Sequence, residues 1–306
     1  MTKFAKTTKP DVYAQVTDAI IAQLESGVRP WAKSWKTGNP GGGDAFALPM
    51  RSTGEAYQGI NVVLLWGSKE ANGFTSNQWF TFNQAKDAGG FVRKGSKGSM
   101  VVYAGAVDVK ADIEAGETED KRIPFMKVYT VFNRDQIEGL DAEPASPVMP
   151  VDDSANLIAS AQAYFDAIGA DVRHGGDRAY WSGASDHIQM PPRHAFEDGE
   201  AYYATLAHEH IHWTGYRARL DREFGKRFGD HRYAAEELVA ELGAAFLMAS
   251  LGLSAEPRED HASYLAGWLK VLKADKRAIF TAASAAQKAV NFLNERTAQA
   301  GQALAA

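Results

Sequence analysis

Two histidines and a glutamate near the middle of the second half of the chain have the spacing of a catalytic metal site. They form the pattern His208-Glu209-x-x-His212. At about 3.6 residues per helical turn, His208 and His212 project from one face, so both imidazoles can bind one ion. Glu209 lies about 100° further round the helix. The spacing is typical of zinc hydrolases, in which this glutamate acts as the general base.

A third protein ligand is needed, because a catalytic zinc ion has three protein ligands and a water. The chain contains no cysteine, which excludes disulfides, thiolate ligands and a cysteine nucleophile. A second helix predicted over 234–246 places Glu237 and Glu241 on one face. We predict that Glu237 is the third ligand and that Glu241 orients a metal-bound histidine through its other ring nitrogen. Glu236 is the fallback ligand, although a solvated helix face is the favoured interpretation for it.

The second half of the chain is predicted to be mainly helical, with a few short strands. Helices are predicted from Ser154 and over 202–213, 236–251, 264–272 and 279–295, and strands over 171–173, 179–181 and 186–190. Because Pro191 and Pro192 follow the last strand, we predict that it lies at a sheet edge, where an extended peptide could pair with it. The long basic connection 216–232 is predicted to be a lid or a loop facing DNA.

The first half of the chain has a different charge. Residues 1–110 contain 13 Lys and Arg against 8 Asp and Glu, whereas the whole chain has a net charge of -5. The segment 29–36 interleaves cations with two indoles, a combination typical of single-stranded nucleic-acid sites, where rings stack on bases and cations bind phosphates. The alternative is that one or both indoles belong to the core. The DNA-binding candidates in this segment are Arg29, Trp31, Lys33, Trp35 and Lys36.

A second basic segment follows in the same half. A glycine-containing turn carries Arg93, Lys94 and Lys97 and resembles a phosphate-binding nest, without either of the common nucleotide-binding glycine motifs. It leads into a predicted hairpin with strands over 100–103 and 125–132. A helix capped by Asp11 is predicted before both basic segments.

Three prolines within 143–150 indicate a linker, so we predict domains at 1–142 and 153–306 with a linker at 143–152. The basic N-terminus has no apolar core of a signal peptide, and the apolar runs are too short to span a bilayer. We therefore expect a cytoplasmic protein that does not contact membranes.

Several of these motifs together resemble the ArdC antirestriction family of conjugative plasmids and phages. The resemblance rests on Asp11-Val12-Tyr13, Pro30-Trp31, Gly59-Ile60-Asn61, Trp79-Phe80-Thr81, Lys94-Gly95, Val128-Tyr129-x-Val131-Phe132-Asn133, His208-Glu209-x-x-His212-Trp213-Thr214-Gly215, Glu236-Glu237-Leu238-Val239-Ala240-Glu241-Leu242 and Tyr264-x-x-x-Trp268. It implies an α+β chain of two domains: a small mixed α/β domain that binds single-stranded DNA, then a mainly helical zincin-like metallopeptidase domain with a short sheet. It also implies a role in shielding incoming DNA from host restriction.

The chemistry predicted for this site is metal-assisted hydrolysis of a peptide bond. His208, His212 and Glu237 would hold Zn²⁺, with Mn²⁺ or another divalent ion as alternatives. Glu209 would take a proton from the attacking water and pass it to the leaving amine. Tyr264 and His261 are the candidates for the oxyanion donor, and a core position is an equally good interpretation of Tyr264.

Two other functions stay open. The protein could protect DNA by occupying it, with the metal only stabilising the fold, or it could be a metal-dependent nuclease. The nuclease is disfavoured because phosphodiester chemistry usually uses carboxylate-rich sites with two metals. A host restriction subunit or another DNA-bound protein is the expected substrate of a peptidase.

Overall fold

The computed structural model describes residues 11–31, 47–109, 121–141, 154–223, 231–253 and 261–305. The predicted linker 143–152 and the DNA-binding candidates Lys33, Trp35 and Lys36 lie outside these ranges. In the first half the elements are α1 (Val12–Glu25), β1 (Met50–Arg51), α2 (Ile60–Asn72), β2 (Gln78–Phe80), α3 (Phe82–Asp87), β3 (Phe91–Val92), β4 (Ser99–Val109), β5 (Lys121–Asn133) and β6 (Ile137–Glu138).

A four-stranded sheet in the order β1-β2-β5-β4 forms the centre of the first half. The predicted hairpin is confirmed, and it is longer than expected: β4 and β5 pair from Ser99 opposite Val131 to Val109 opposite Lys121. Helix α2 is fixed to this sheet by Asn61, whose amide side chain bonds both the N–H and the C=O of Val102, at 2.8 Å each. We call β4 and β5 together the β4–β5 ribbon, and it continues past the Asn61 contact to the pair of Val109 and Lys121.

Helix α1 begins as predicted, with the Asp11 carboxylate accepting from the backbone N–H of Tyr13. Its buried face packs on the second half of the chain: the Thr17 hydroxyl donates to the carbonyl of Lys276 at 2.7 Å, and the Tyr13 ring contacts Phe280. Helix α1 thus helps to stabilise the second half of the chain, although it precedes the predicted domain boundary.

The second half contains α4 (Ser154–Ile168), β7 (Asp171–His174), β8 (Tyr180–Ser182), β9 (His187–Met190), α5 (Gly199–Thr214), α6 (His231–Ser250), α7 (His261–Ala274) and α8 (Ala278–Ala305). Helices dominate, with one three-stranded sheet beside them, so the predicted α+β fold class is confirmed. None of the helices in the described ranges is long and apolar enough to cross a bilayer.

The prediction of an edge position for 186–190 is wrong. Strand β9 is the central strand of its sheet, parallel to β7 and antiparallel to β8. The prolines do not prevent this, because Pro191 follows Met190, the last paired residue, and no ladder N–H is lost. In the described sheet the strands with a free edge are β7 and β8.

Helices α5 and α6 approach each other closely at a glycine. A Cβ atom placed on Gly243 would lie 2.8 Å from the Cδ1 of Ile211, which is one residue before His212. Gly243 also follows Glu241 by two residues, so this contact sets the spacing between the helix of the histidines and the helix of the glutamates.

We expect Gly243→Ala to destabilise the protein, because the added methyl overpacks this contact. Overpacking costs about 1–3 kcal/mol, and the better helix propensity of alanine offsets at most about 1 kcal/mol. Gly301→Ala is the matched control, since Gly301 is exposed near the end of α8 and no atom lies within 4 Å of its added Cβ. Urea unfolding measures both variants, and equal midpoints would contradict the close approach of α5 and α6.

Candidate metal centre

Helix α5 presents the two histidines of the motif to the interior. It starts at Asp198, whose carboxylate accepts from the N–H of Ala201 at 2.8 Å, and it ends before Gly215. The imidazoles of His208 and His212 are one turn apart on one face, with ring centroids 4.8 Å apart. His208 is buried and His212 nearly so, which removes both rings from bulk water.

Helix α6 brings Glu237 to the same point. Its carboxylate oxygens lie 3.5 Å from Nε2 of His208 and 3.5 Å from Nε2 of His212. Ligand atoms of all three residues lie within 4.8 Å of one another. The geometry therefore places the predicted third ligand beside the two imidazoles.

Each histidine is also bonded on its outer side. Nδ1 of His208 lies 3.4 Å from Oε1 of Glu241, as expected for an orienting carboxylate, and Nδ1 of His212 lies 3.2 Å from Oε1 of Glu236. Arg222 holds Glu236 in turn, with guanidinium contacts of 2.7 and 3.1 Å. The solvated helix face favoured for Glu236 is thus wrong: the residue is buried and supports a ring of the motif. The burial of Glu236 could not be predicted from the sequence alone, because it depends on where the segment 215–223 places Arg222.

The outer bonds determine where the ring lone pairs point. Because each Nδ1 faces a carboxylate, it carries a hydrogen, and each Nε2 presents a lone pair when its ring is neutral. The two Nε2 atoms are 3.2 Å apart, so their lone pairs repel unless a cation lies between them. Ligand atoms about 2.0–2.2 Å from a tetrahedral ion lie about 3.3–3.6 Å apart, close to the separations found here. The donor set fits a divalent ion.

The same carboxylates shift the pKa values of the rings. Burial alone would lower the pKa of His212, but hydrogen bonds with Glu236 and Glu237 raise it to about 10. The pKa of His208 is raised against burial by Glu237 and Glu241. Burial tends to raise the pKa of Glu237, yet the two imidazoles lower it well below its usual range. The carboxylates therefore stay ionised and stabilise positive charge at the centre of the site.

Glu209 is buried on α5 next to the first histidine, as its position in the motif predicts. The group of ligand atoms that lie within 4.8 Å of one another is formed by His208, His212 and Glu237 and does not include Glu209.

A tyrosine that the sequence did not single out lies at the same site. Tyr233 precedes Glu237 by one helical turn, and its hydroxyl is 3.3 Å from that of Tyr264. Burial raises the pKa of Tyr233, and the bond with Tyr264 and the charge of Glu237 raise it further, so the phenol stays neutral. Tyr233 links the predicted oxyanion donor Tyr264 to Glu237, and the i, i+4 spacing was the signal that could have found it. The side chain of His261 is outside the described residues.

The third histidine of the motif faces the opposite way. His210 is fully buried, donates from Nδ1 to the carbonyl of Leu206 at 2.8 Å, and packs on the Phe165 ring. Burial lowers its pKa to about 4. His210 is therefore a neutral core residue.

The DNA-binding candidates fall into two groups. Trp31 is 2% exposed and packs edge-on against Trp268 of α7, so its indole offers no free face to a base. Arg29 is half-buried, and the Glu241 carboxylate partly opposes the lowering of its pKa by burial, which places Arg29 near Glu241. Arg93, Lys94 and Lys97 are exposed, as a phosphate-binding role requires.

Two family models match the chain. The N-terminal domain of anti-restriction factor ArdC matches residues 10–132, and a zincin-like metallopeptidase matches residues 159–285. An uncharacterised protein, y4eC of Sinorhizobium fredii, is 40% identical over 299 residues, which cover 96% of this chain and 94% of that protein. DNA primase TraC of Escherichia coli is 35% identical over 304 residues, which cover 94% of this chain and 27% of TraC.

Solved structures give the same result. The metal-free structure of the antirestriction protein ArdC from plasmid R388 is 44% identical, with a TM-score of 0.77 and coverage of 95% of this chain and 99% of that chain. The Mn(II)-bound structure of the same protein is 43% identical with a TM-score of 0.75, covering 94% of this chain and 99% of that chain. At this identity over nearly the full length of both chains, the protein described here belongs to the ArdC antirestriction family.

Proposed function

We propose that the protein binds single-stranded DNA and cleaves proteins near that DNA at a divalent metal site. The single observation that carries the proposal is the convergence of two Nε2 atoms and one carboxylate, 3.2–3.5 Å apart, in a buried site. Among protein sites, two imidazoles and one carboxylate with room for water are typical of metal-dependent hydrolases.

His208, His212 and Glu237 would hold the ion, with Glu236 and Glu241 orienting the two rings. A divalent ion bound there polarises a substrate carbonyl and acidifies water to a pKa of about 7. Zn²⁺ fits this donor set, and the Mn(II)-bound ArdC of plasmid R388 supports Mn²⁺ as an alternative.

Glu209 would act as the proton carrier of the reaction. As a buried carboxylate beside the ligands, it can take the proton of the attacking water and pass it to the leaving amine. The neutral phenols of Tyr233 and Tyr264 would donate hydrogen bonds to the oxyanion that forms at the substrate carbonyl.

The DNA would bind to the first half of the chain. The β4–β5 ribbon exposes Tyr103 (55%) and Tyr129 (46%), whose ring centroids are 6.4 Å apart. Phe125 lies on the same face, with the Lys127 ammonium 5.1 Å from its ring centre. Exposed rings beside cations are the requirement for base stacking on a single strand. The exposed basic turn with Lys94 and Lys97 lies at the base of the ribbon and would bind phosphates.

These activities would protect incoming plasmid or phage DNA in the cytoplasm of a recipient cell, with a DNA-bound protein such as a restriction subunit as substrate. The membership in the ArdC antirestriction family supports this role.

The second candidate function is protection by occupancy of the strand alone. It is supported by the ribbon, whose exposed rings need no metal chemistry to bind DNA. In that case the ion would stabilise the contact between α5 and α6.

Replacing the proton carrier separates these two functions. Glu209→Gln should lower cleavage of a labelled protein by about 10²–10⁴-fold, because the general base is lost while the ligands stay in place. Metal content measured by mass spectrometry should not change. Glu200→Gln, in the first turn of α5, is the matched control and should keep full activity. If Glu209→Gln still protects DNA in recipient cells, occupancy is the function.

Metal binding should release protons, because the raised pKa of His212, about 10, means that a proton occupies the ring when the ion is absent. Apparent affinity should therefore fall as the pH is lowered, by roughly tenfold per pH unit for each proton displaced. Calorimetric titration with Mn²⁺ at pH 7, in buffers of different ionisation enthalpy, counts these protons. A count of zero, or an affinity independent of pH between 6 and 8, would contradict the site described.

The ribbon surface is tested by removing its rings. Tyr103→Ala and Tyr129→Ala should each weaken binding of labelled oligo-dT by about 1–3 kcal/mol, the usual contribution of one stacked base. Tyr180→Ala is the control, because Tyr180 in β8 is exposed to the same 46% as Tyr129 but lies in the second half of the chain. Unchanged anisotropy titrations for both ribbon variants would mean that single-stranded DNA binds at another surface.

A further inference from the structure

A basic cleft of about 660 Å³ opens beside the metal site, between α1, the segment after α5 and the first turns of α8. Its volume lies within the range of about 300–1,000 Å³ that ligand sites usually have. The residues that give it its chemistry are two aromatic rings and four cations: Tyr13, Phe280, Arg219, Arg222, Arg277 and Lys288. Among the described residues that line it, none is acidic.

Two of the four cations are already neutralised. Arg219 pairs with Asp186, at 2.9 Å for the longer of its two contacts, and stacks 3.9 Å above the centre of Trp213. Arg222 pairs with Glu236. These two side chains form a fixed wall of the cleft.

The other two cations are free to bind an anion. Arg277 and Lys288 are exposed, and neither forms a salt bridge within the part of the chain that the structure describes. The neighbouring Lys276, by contrast, is paired with Asp11. The cleft therefore has an excess of positive charge at Arg277 and Lys288, which makes it complementary to phosphate.

The aromatic rings lie next to this charge. Tyr13 and Phe280 are half-buried and packed edge to face, with centroids 4.8 Å apart. The guanidinium of Arg277 lies 5.0 Å from the centre of the Tyr13 ring. An acidic peptide would use the cations alone, whereas rings beside cations suit both the bases and the phosphates of a nucleic acid.

We propose that this cleft binds a segment of single-stranded DNA, with phosphates at Arg277 and Lys288 and a base against Phe280 and Tyr13. The proposal rests on the single-strand binding proposed above and adds a second contact surface, in the half of the chain that carries the metal site. The strand would thus extend from the β4–β5 ribbon to the helices of the site.

Side-chain contacts connect the cleft to the metal site. Arg222, in its wall, is bonded at 2.7 Å to Glu236, which is bonded at 3.2 Å to Nδ1 of His212. DNA in the cleft is therefore separated by two side chains from a predicted metal ligand. A protein bound to the same strand would be held next to the catalytic groups, which raises its effective concentration there.

The test is the salt dependence of DNA binding by the full chain. Removing one phosphate-binding cation reduces the slope of log K against log salt by about 0.7 for a single strand, so Arg277→Gln with Lys288→Gln should reduce it by about 1.4. At 0.1 M salt this corresponds to about 25-fold weaker binding of oligo-dT. The double variant Arg178→Gln with Lys270→Gln removes two exposed cations that do not line the cleft, and it should bind like the parent.

A second variant adds charge instead of removing it. Ser284 is exposed in the cleft, so Ser284→Glu should weaken binding of oligo-dT, and Ser284→Gln should not. An unchanged slope and affinity in the Arg277 and Lys288 variant would overturn the cleft while leaving the ribbon as the binding surface. If the Arg277 and Lys288 variant binds oligo-dT like the parent but no longer binds a polyglutamate peptide that the parent binds, the cleft is a site for an acidic protein instead. Absence of oligo-dT binding by the parent chain would overturn both the cleft and the proposed function.

Discussion

The constraint on which this structure depends is the burial of charge between α5 and α6. Glu236 and Glu237 are buried together with two imidazoles, and Glu241 lies beside them. Carboxylates without partners would cost several kcal/mol at such a site, so positive charge must accompany them. The rings supply part of it, Arg222 supplies part, and the meeting point of the two Nε2 atoms is suited to a further cation.

The rest of the fold holds these two helices in register. Gly243 allows α6 to approach Ile211 of α5, and α8 packs along the same core. The first half of the chain takes part, because α1 contacts Phe280 and Trp31 packs on Trp268. These contacts join the first half of the chain to α8 and α7, which pack on α6, so single-stranded DNA bound by one half can lie close to the other.

Local periodicity predicted much of this arrangement. The i, i+4 spacing of His208 and His212 places them on one helical face whatever the surroundings, and the starts of α1 and the β4–β5 hairpin followed from capping and alternation. Features that depend on tertiary partners were missed. Burial of Glu236 requires Arg222 from another segment, burial of Trp31 requires Trp268, and the central position of β9 requires β7 and β8 on its two sides.

Anomalous X-ray diffraction from crystals of this protein grown with Mn²⁺ tests whether His208, His212 and Glu237 bind one ion. We expect one strong peak about 2.0–2.3 Å from Nε2 of His208, Nε2 of His212 and a carboxylate oxygen of Glu237. A peak bound by other residues, or an ion held by the histidines with the Glu237 carboxylate turned away, would contradict this expectation.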